Sequence, residues 1–213
     1  MQLQTENNTQ IKRQVIDYKL DGNAIYALSH LVHKEHSRYY LSGINIERHP
    51  SGKGAVYVAT NGHILGVFYD KNAIIPEDVK KGNGEVIRFS KDILKYLSKK
   101  TNQDSIIKIS QSRIEVGSIS EDVKFIDSIY PDWRRVIDGI KKQEASSNVN
   151  LDSCYLSLFP KMFNKKNLGI QIHPQAELPA KILVEQQPNY LFVLMPMSIK
   201  NSGIIDNHKE IMG

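Results

Sequence analysis

The pattern of apolar and polar residues predicts the same succession of strands and one helix several times along the chain. The first copy covers about the first 70 residues. It comprises a strand at 15–18, a helix over 20–34, a strand at 39–47 and a hairpin over 55–69. Apolar residues at helical spacing define the helix, with Asp21 or Asn23 as its N-cap. Asn61-Gly62 tolerates positive φ, so it suits the tip of a tight hairpin between apolar, β-branched runs. The first unit is therefore β-α-β-β-β and ends near Asp70.

The same order recurs twice. The second unit has a strand at 86–89, a helix from the N-cap Ser90 to about Lys100, and strands at 105–110, 113–117 and 123–128. The third has a strand at 148–151, a helix over 152–164 that Pro160 bends or ends, and strands at 168–173, 180–185 and 190–195. Repeated units bury one another's apolar faces. We therefore expect an α+β fold of three β-α-β-β-β units, with the first two paired and the third left to pair with another chain.

Composition assigns the remaining segments. Residues 1–14 are polar and predict a disordered arm, 15–138 form a complete two-unit domain, 139–147 a linker, 148–199 a half domain, and 200–213 a polar tail. Apolar residues make up 40% of the 213 positions, as in globular proteins, and the net charge of +5 permits a nucleic-acid partner. The single cysteine, Cys154, excludes an internal disulfide. With no apolar run of membrane-spanning length and no signal-peptide core, we expect a cytoplasmic protein without a membrane partner.

Basic residues recur on the predicted helices. Lys91, Lys95 and Lys99 lie at i, i+4 and i+8, opposite the apolar face of the second helix. Lys161 and Lys165 cluster late in the third helix, and Lys34 lies at the end of the first. One interpretation is an ordinary solvated face. The other is a surface that holds DNA phosphates through point charges.

Motifs for catalysis or metal binding are weak. The spacing of His30, His33 and His36 converges poorly on one ion and has no evident fourth ligand, so we expect no metal site. No nucleophile motif, dinucleotide fingerprint or phosphate loop occurs, and we expect no cofactor. His63 as a general base has no partner residue that supports it, so the sequence favours a protein that is not an enzyme.

Two further segments share an apolar character with the hairpin tip. Tyr130–Arg135 contains the only tryptophan beside two arginines, and Leu191–Met197 ends in Met-Pro-Met. Methionine adapts its shape to apolar peptide side chains. Both segments could instead be core filler or a linker anchor. If the fold brings them to the hairpin tip, the three segments line one apolar pocket.

Four motifs in order resemble the bacterial β sliding clamp, the processivity subunit of DNA polymerase III. They are Arg38-Tyr-Tyr-Leu-Ser-Gly43, Ala59-Thr-Asn-Gly-His-Ile-Leu65, Tyr130-Pro-Asp-Trp-Arg-Arg-Val136 and Val193-Leu-Met-Pro-Met197. The resemblance covers about residues 15–199, as the middle domain of a clamp followed by half of its last domain. The family usually has Asp and Arg where Asn61 and Ile64 stand here.

The resemblance implies a DNA-clamp fold with helices on one face and antiparallel sheets on the other. It implies a pocket for Gln- and Leu/Phe-containing peptides of DNA polymerases and other clamp-binding proteins. By position, the pocket residues are Leu41, Thr60, Gly62, His63, Leu65, Pro131, Arg135, Val136, Val193, Met195, Pro196 and Met197. Tyr39 and Tyr40 match a tyrosine pair that contacts double-stranded DNA in the family.

Two functions follow from the resemblance. The first is a clamp-like processivity factor: the family ring holds twelve such units, so self-association of four chains with three units each would close it. The second is a clamp mimic that sequesters clamp-binding partners without encircling DNA. The first needs the basic helix faces and the second does not.

Overall fold

The computed structural model describes residues 18–33, 36–79, 82, 84–102, 104–140, 149–175 and 178–197. Five sequence predictions lie wholly or mostly outside these residues. They are the arm at 1–14, the strand at 15–18, the DNA-contact candidate Lys34, the linker apart from Gly139 and Ile140, and the tail at 200–213.

The first unit has the predicted order of strand, helix and strands, but its first strand covers 18–21, where the sequence predicted a strand at 15–18. It comprises β1 Tyr18–Asp21, α1 Gly22–Ser29, a 3-10 helix His36–Leu41, β2 Ile44–Arg48, β3 Ala55–Thr60 and β4 Ile64–Asp70. Asp21 is the N-cap of α1, and its carboxylate accepts a hydrogen bond from the Ala24 N–H. The helix is shorter than expected, because it ends at Ser29.

The predicted strand at 39–47 is wrong in its first half. Residues 36–41 form the 3-10 helix instead, and β2 starts only at Ile44. The Ser42 N–H donates to the Tyr39 carbonyl at 3.0 Å, and the Ser42 hydroxyl donates to the same oxygen. These two bonds close a turn, which places Tyr39 and Tyr40 on a short helix before the strand.

The second unit follows the predicted order and adds one strand and one helix. It comprises β5 Glu85–Arg88, α2 Lys91–Leu97, β6 Ile106–Ser110, β7 Arg113–Val116 and β8 Ile119–Asp122, followed by β9 Lys124–Ile126 and α3 Arg134–Ile140. Ser90 is the N-cap of α2, as predicted. The strand expected at 123–128 is replaced by β8 and β9, which lie in different sheets. Gly139 and Ile140 belong to α3, although the sequence placed them in a linker.

The first two units exchange strands. β1 pairs with β6, so the four-stranded sheet has the order β1-β6-β7-β8. β5 pairs in return with β2, in an eight-stranded sheet of order β10-β11-β12-β4-β3-β2-β5-β9. All pairings are antiparallel. Each unit therefore contributes the strand before its helix to the sheet of the other unit.

The third unit joins the first. It comprises α4 Ser153–Leu156, α5 Leu158–Met162, β10 Ile170–Gln175, β11 Leu178–Val184 and β12 Tyr190–Leu194. β12 pairs with β4, and α5 contacts α1, so this unit does have a partner within the chain. The helix predicted over 152–164 breaks at Ser157. Pro160 lies in the first turn of α5, where a proline costs no helical hydrogen bond. Residues 149–151 form no strand, contrary to the prediction.

Both faces of the eight-stranded sheet are covered around β3 and β4. Tyr57 and Phe68 lie on the face that packs against α1 and α5, within a core that continues through all three units. Val56 and Val58 lie on the opposite face, where Ile137 and Ile140 of α3 pack against them. Alternate residues of one strand thus serve two cores. Helices α1, α2 and α5 form the expected layer, and α3 lies on the other side of the sheet.

Candidate functional site

The β4–β12 pairing forms the floor of a cavity on the α3 face of the sheet. Leu65 and Val193 are direct cross-strand partners, and both are buried. The Met195 N–H donates to the His63 carbonyl at 2.8 Å, just beyond the paired strands. This bond holds the Met-Pro-Met end beside the hairpin tip.

The hairpin tip is held by its own side chains. The Thr60 hydroxyl donates to the Ile64 carbonyl at 2.8 Å and accepts from the Gly62 N–H at 3.0 Å. The Asn61 side-chain oxygen accepts from the N–H groups of His63, at 2.9 Å, and Ile64, at 3.1 Å. Gly62 has φ +94°, a conformation that a residue with a Cβ rarely adopts. This network places His63 at the rim of the cavity.

The segment before α3 forms the facing wall. The Arg134 guanidinium lies over the Trp133 indole, 4.3 Å from the ring centroid, and pairs with the Glu47 carboxylate. Glu47 is only 2% exposed and also accepts from the Gly82 N–H at 3.0 Å. Arg134 therefore anchors the start of α3 to β2 and holds the indole against the cavity.

The cavity between these elements has a volume of about 200 Å³ and is lined mostly by apolar groups. Its lining residues are Tyr40, Leu41, Thr60, Gly62, His63, Ile64, Leu65, Tyr130, Pro131, Asp132, Trp133, Val136, Val193 and Met195. One of them, Trp133, has a buried polar atom without a hydrogen-bond partner among the described residues, Nε1. The Tyr130 hydroxyl is also buried, with the Thr60 main chain beside it. Burial raises the pKa of Tyr130, so its hydroxyl keeps its proton at neutral pH. A buried polar atom such as Trp133 Nε1 normally has a partner.

The structure brings together nine of the twelve pocket residues predicted from sequence. The other three lie elsewhere. Arg135 has an 86% exposed side chain that pairs with Asp132 at 3.1 Å, and Pro196 and Met197 follow Met195 away from the cavity. Sequence reasoning did not assign Ile64, Tyr130, Asp132 or Trp133 to the pocket, and it assigned Tyr40 to DNA. Tyr130 and Trp133 lie in a segment that the sequence had singled out, so their apolar rings were the available signal.

The basic candidates lie on the helix side. Lys91, Lys95 and Lys99 are exposed on α2 or just beyond it, whereas Ile93 and Leu97 of the same helix are buried. Among the described residues none of these lysines forms an ion pair. Lys91 and Lys95 therefore lie on one face of α2. The helix ends at Leu97 and not near Lys100 as predicted, so helical spacing does not fix the position of Lys99.

The remaining DNA candidates are less uniform. Lys161 is exposed, and the half-buried Lys165 donates to the Gln186 side-chain oxygen at 3.3 Å. Tyr39 is exposed, and its ring contacts that of Tyr40 edge-on. Tyr40 also lines the cavity, and its assignment as a DNA contact stays a prediction.

The three histidines at 30, 33 and 36 were weak metal candidates, and the side chain of His36 lies outside the described part of the chain. No group of three His, Cys, Asp or Glu side chains there is arranged to hold an ion. The ring of His63 stacks on Tyr155 of α4, with centroids 5.9 Å apart, which ties the hairpin tip to the third unit. Membrane-spanning length and apolarity are not found together in any described helix.

Comparison with known proteins identifies the fold. No family model and no curated protein matches the chain. Among solved structures, a DNA polymerase III β sliding clamp from Bartonella birtlesii bound to griselimycin matches with a TM-score of 0.64 and 19% identity, over 91% of this chain and 70% of that one. A DNA polymerase sliding clamp from Pseudomonas aeruginosa with ligand matches with a TM-score of 0.62 and 16% identity, over 86% and 66%.

A third match is DNA polymerase III subunit β from Borrelia burgdorferi in complex with a natural product. Its TM-score is 0.58 and its identity 13%, over 86% of this chain and 64% of that one. The chain thus spans about two thirds of the length of these clamps. The fold expected from the four motifs is confirmed: this chain has the fold of the bacterial DNA polymerase III β sliding clamps.

Proposed function

We propose that this protein is a non-enzymatic, clamp-like processivity factor that binds polymerase-type peptides in the cavity beside α3 and double-stranded DNA along its basic helices. The observation that carries the proposal is the convergence of three distant segments on one apolar cavity. They are the hairpin tip, the segment from Tyr130 to Val136, and the end of β12. A fold alone does not define a function, whereas such a cavity defines the chemistry of a ligand.

The lining fits a short peptide with apolar side chains and one amide. Leu65, Val193 and Val136 offer apolar surface to a Leu or Phe side chain. Trp133 Nε1 offers a hydrogen bond to a Gln carbonyl, which would satisfy this buried atom. The peptide class expected from the resemblance therefore matches the chemistry of the cavity.

The DNA part of the proposal depends on the helix layer. Lys91 and Lys95 lie on one face of α2, Lys99 follows that helix, and Lys161 lies on the third unit. All four are exposed, and none forms an ion pair within the described residues. Such charges bind phosphates without reading sequence. The four-chain ring that would place this layer around DNA stays a prediction from the number of units.

Peptide titration of two methionine variants tests the pocket. A fluorescent peptide with Gln and Leu-Phe anchors is titrated with the full chain and followed by anisotropy. Met195→Ala is expected to weaken binding about tenfold, or about 1.4 kcal/mol, because Met195 lines the cavity. Met197→Ala is the matched control and should leave affinity unchanged, since its side chain lies outside the cavity. Equal affinity of Met195→Ala and the unmodified chain contradicts the assignment.

The clamp mimic is distinguished by DNA binding. A chain that binds the peptide, and associates with neither linear nor circular primed DNA at low salt, would be a mimic. The ring function requires retention on closed circular DNA and its loss after linearisation.

A further inference from the structure

All three units carry the same Ile-x-Ile pattern in the first strand after the helix. The three copies are Ile44-Asn45-Ile46 in β2, Ile107-Lys108-Ile109 in β6 and Ile170-Gln171-Ile172 in β10. In β2 and β6, every one of these isoleucines is at most 2% exposed. In β10, both are only partly buried. The third copy therefore lacks some cover that the first two copies have.

Strand exchange supplies that cover in the first two units. β5 covers the outer edge of β2, and β1 covers the outer edge of β6. β10 pairs with β11 on one side. No described strand covers the equivalent outer edge of β10.

In an antiparallel strand, alternate residues direct their main-chain N–H and C=O groups to opposite sides, so the β11 pairing shows which groups of β10 point to the open edge. The Glu185 N–H donates to the Gly169 carbonyl at 2.9 Å, so Gly169, and by alternation Gln171, faces β11. The main-chain N–H and C=O groups of Ile170 and Ile172 then point to the open edge. Pro174 lies where the β10–β11 register shifts, between His173 and Gln175, and a proline without an N–H is tolerated at a sheet edge. The open edge offers a ladder of about four hydrogen bonds before it ends.

The chain also contains the matching donor strand. Val149-Asn150-Leu151-Asp152 stands before α4 as Tyr18-Lys19-Leu20-Asp21 stands before α1. Both end in an Asp N-cap, with Ala24 N–H donating to Asp21 and Cys154 N–H to Asp152. Lys19 exchanges hydrogen bonds with Ile74, just after β4, and the Asn150 carbonyl accepts from Met197, just after β12. Residues 149–151 are therefore held as β1 is held, without the strand partner that β1 has.

Residues 149–151 are expected to pair with β10 of another copy and not with β10 of their own chain. In the first two units the strand before the helix always enters the other unit's sheet. A chain with one donor and one acceptor of this kind can satisfy both through a two-fold axis. We propose that two copies of this chain dimerise through their third units, with residues 149–151 of each copy pairing antiparallel with β10 of the other.

The register follows from β1 and β6. Leu20 lies opposite Ile107 and Tyr18 opposite Ile109. The equivalent pairs are Leu151 with Ile170 and Val149 with Ile172, which places all four apolar side chains on the core face. Asn150 then lies opposite Gln171 in a non-hydrogen-bonded pair. This interface rests on strand geometry and does not depend on peptide or DNA binding.

Two proline variants test the interface by light scattering of the full chain. The unmodified chain is expected at twice the mass of one chain, or four times if a ring closes. Val149→Pro removes an N–H aimed at the partner strand and should raise the dimer dissociation constant about tenfold or more. Asn150→Pro is the matched control, because its N–H faces the other side and its carbonyl still accepts from Met197. A monomeric unmodified chain, or equal effects of the two prolines, overturns the proposal.

A disulfide test remains informative if the proline variants unfold. Asn150→Cys and Gln171→Cys are combined with Cys154→Ser, which removes the native thiol. The Cα atoms of a non-hydrogen-bonded antiparallel pair lie about 4.5 Å apart, within disulfide range. Oxidation is expected to yield a covalent dimer on non-reducing gels, whereas either single cysteine placed alone should not. Exclusively monomeric product overturns the proposal, including the case in which the chain's own tail covers β10.

Discussion

The Met195 main-chain N–H donates to the His63 carbonyl across 2.8 Å, and this bond joins two ends of the candidate pocket. It continues the β12–β4 pairing past the last paired residues, Leu194 and Ile64. The rim of the cavity is therefore part of a sheet and not of two independent loops. A peptide that enters the cavity meets a surface whose main chain is already ordered, which lowers the entropy cost of binding.

Gly62→Ala is expected to weaken peptide binding through the hairpin tip. Alanine at this position would have to adopt φ +94°, and its Cβ would lie 2.6 Å from the Arg38 Nη1. The free energy of unfolding should therefore fall by about 1–2 kcal/mol. Gly52→Ala is the matched control, because Gly52 also has positive φ but nothing lies within 4 Å of its Cβ position. Chemical denaturation and peptide anisotropy measure both effects. Gly52→Ala should lower stability alone, and unchanged peptide affinity in Gly62→Ala argues against a pocket at the tip.

Arg134→Ala and Arg135→Ala separate the anchoring arginine from its exposed neighbour. Loss of Arg134 leaves the buried Glu47 carboxylate without its cation, so the free energy of unfolding should fall by about 2–4 kcal/mol. Arg135 pairs with Asp132 at the surface, and its loss should cost less than about 0.5 kcal/mol. Urea unfolding gives both values. Peptide affinity should fall only with Arg134→Ala, because Trp133 loses its support; the reverse order would restore Arg135 as the pocket residue.

Lys91→Glu combined with Lys95→Glu is expected to weaken DNA association at least about tenfold. Each lost phosphate contact should also reduce the slope of log affinity against log salt by about 0.9. Lys53→Glu combined with Lys108→Glu introduces the same charge change away from the helix layer, since Lys108 lies on the opposite face of its sheet from Ile107 and Ile109. Binding to duplex DNA is measured from low to moderate salt. Equal losses in the two double variants would indicate an effect of net charge and not a specific surface.

Asp21→Asn is expected to stabilise the fold at neutral pH. Burial raises the pKa of the Asp21 carboxyl above its ordinary value of 3.8, and the charges of Asp70 and Asp104 raise it further. A group whose pKa is raised on folding contributes stability at pH below 3.8, and this contribution is lost as pH rises through the folded pKa. Asparagine retains the N-cap and carries no charge.

Thermal unfolding between pH 3 and 7 measures the effect. The stability gain of Asp21→Asn over the unmodified chain should be present at pH 7 and shrink toward pH 3. Asp152→Asn makes the same change at the N-cap of α4 and controls for the cap itself. A difference that does not vary with pH would assign the effect to the cap.

Local features were predictable because nearby residues decide them. The N-caps Asp21 and Ser90 bond to main-chain groups three residues away, and the Asn61-Gly62 tip is closed by the side chains beside it. One prediction failed because a local hydrogen bond outweighs a strand preference. Tyr39 and Tyr40 favour strands, but the main-chain N–H and hydroxyl of Ser42 both donate to the Tyr39 carbonyl and close the turn after the 3-10 helix at 36–41.

The sequence by itself determined most of the order of strands and helices, the caps Asp21 and Ser90, and the apolar segments that meet at the pocket, although residues 149–151 form no strand. Each depends on periodicity or on contacts within a few residues. Only the tertiary structure decided that β1 joins β6, that β12 joins β4, and that Arg134 and not Arg135 faces inward. Strand partners and side-chain direction depend on which apolar faces are buried together. These contacts form between segments that are far apart in the chain, so the preferences of neighbouring residues do not predict them.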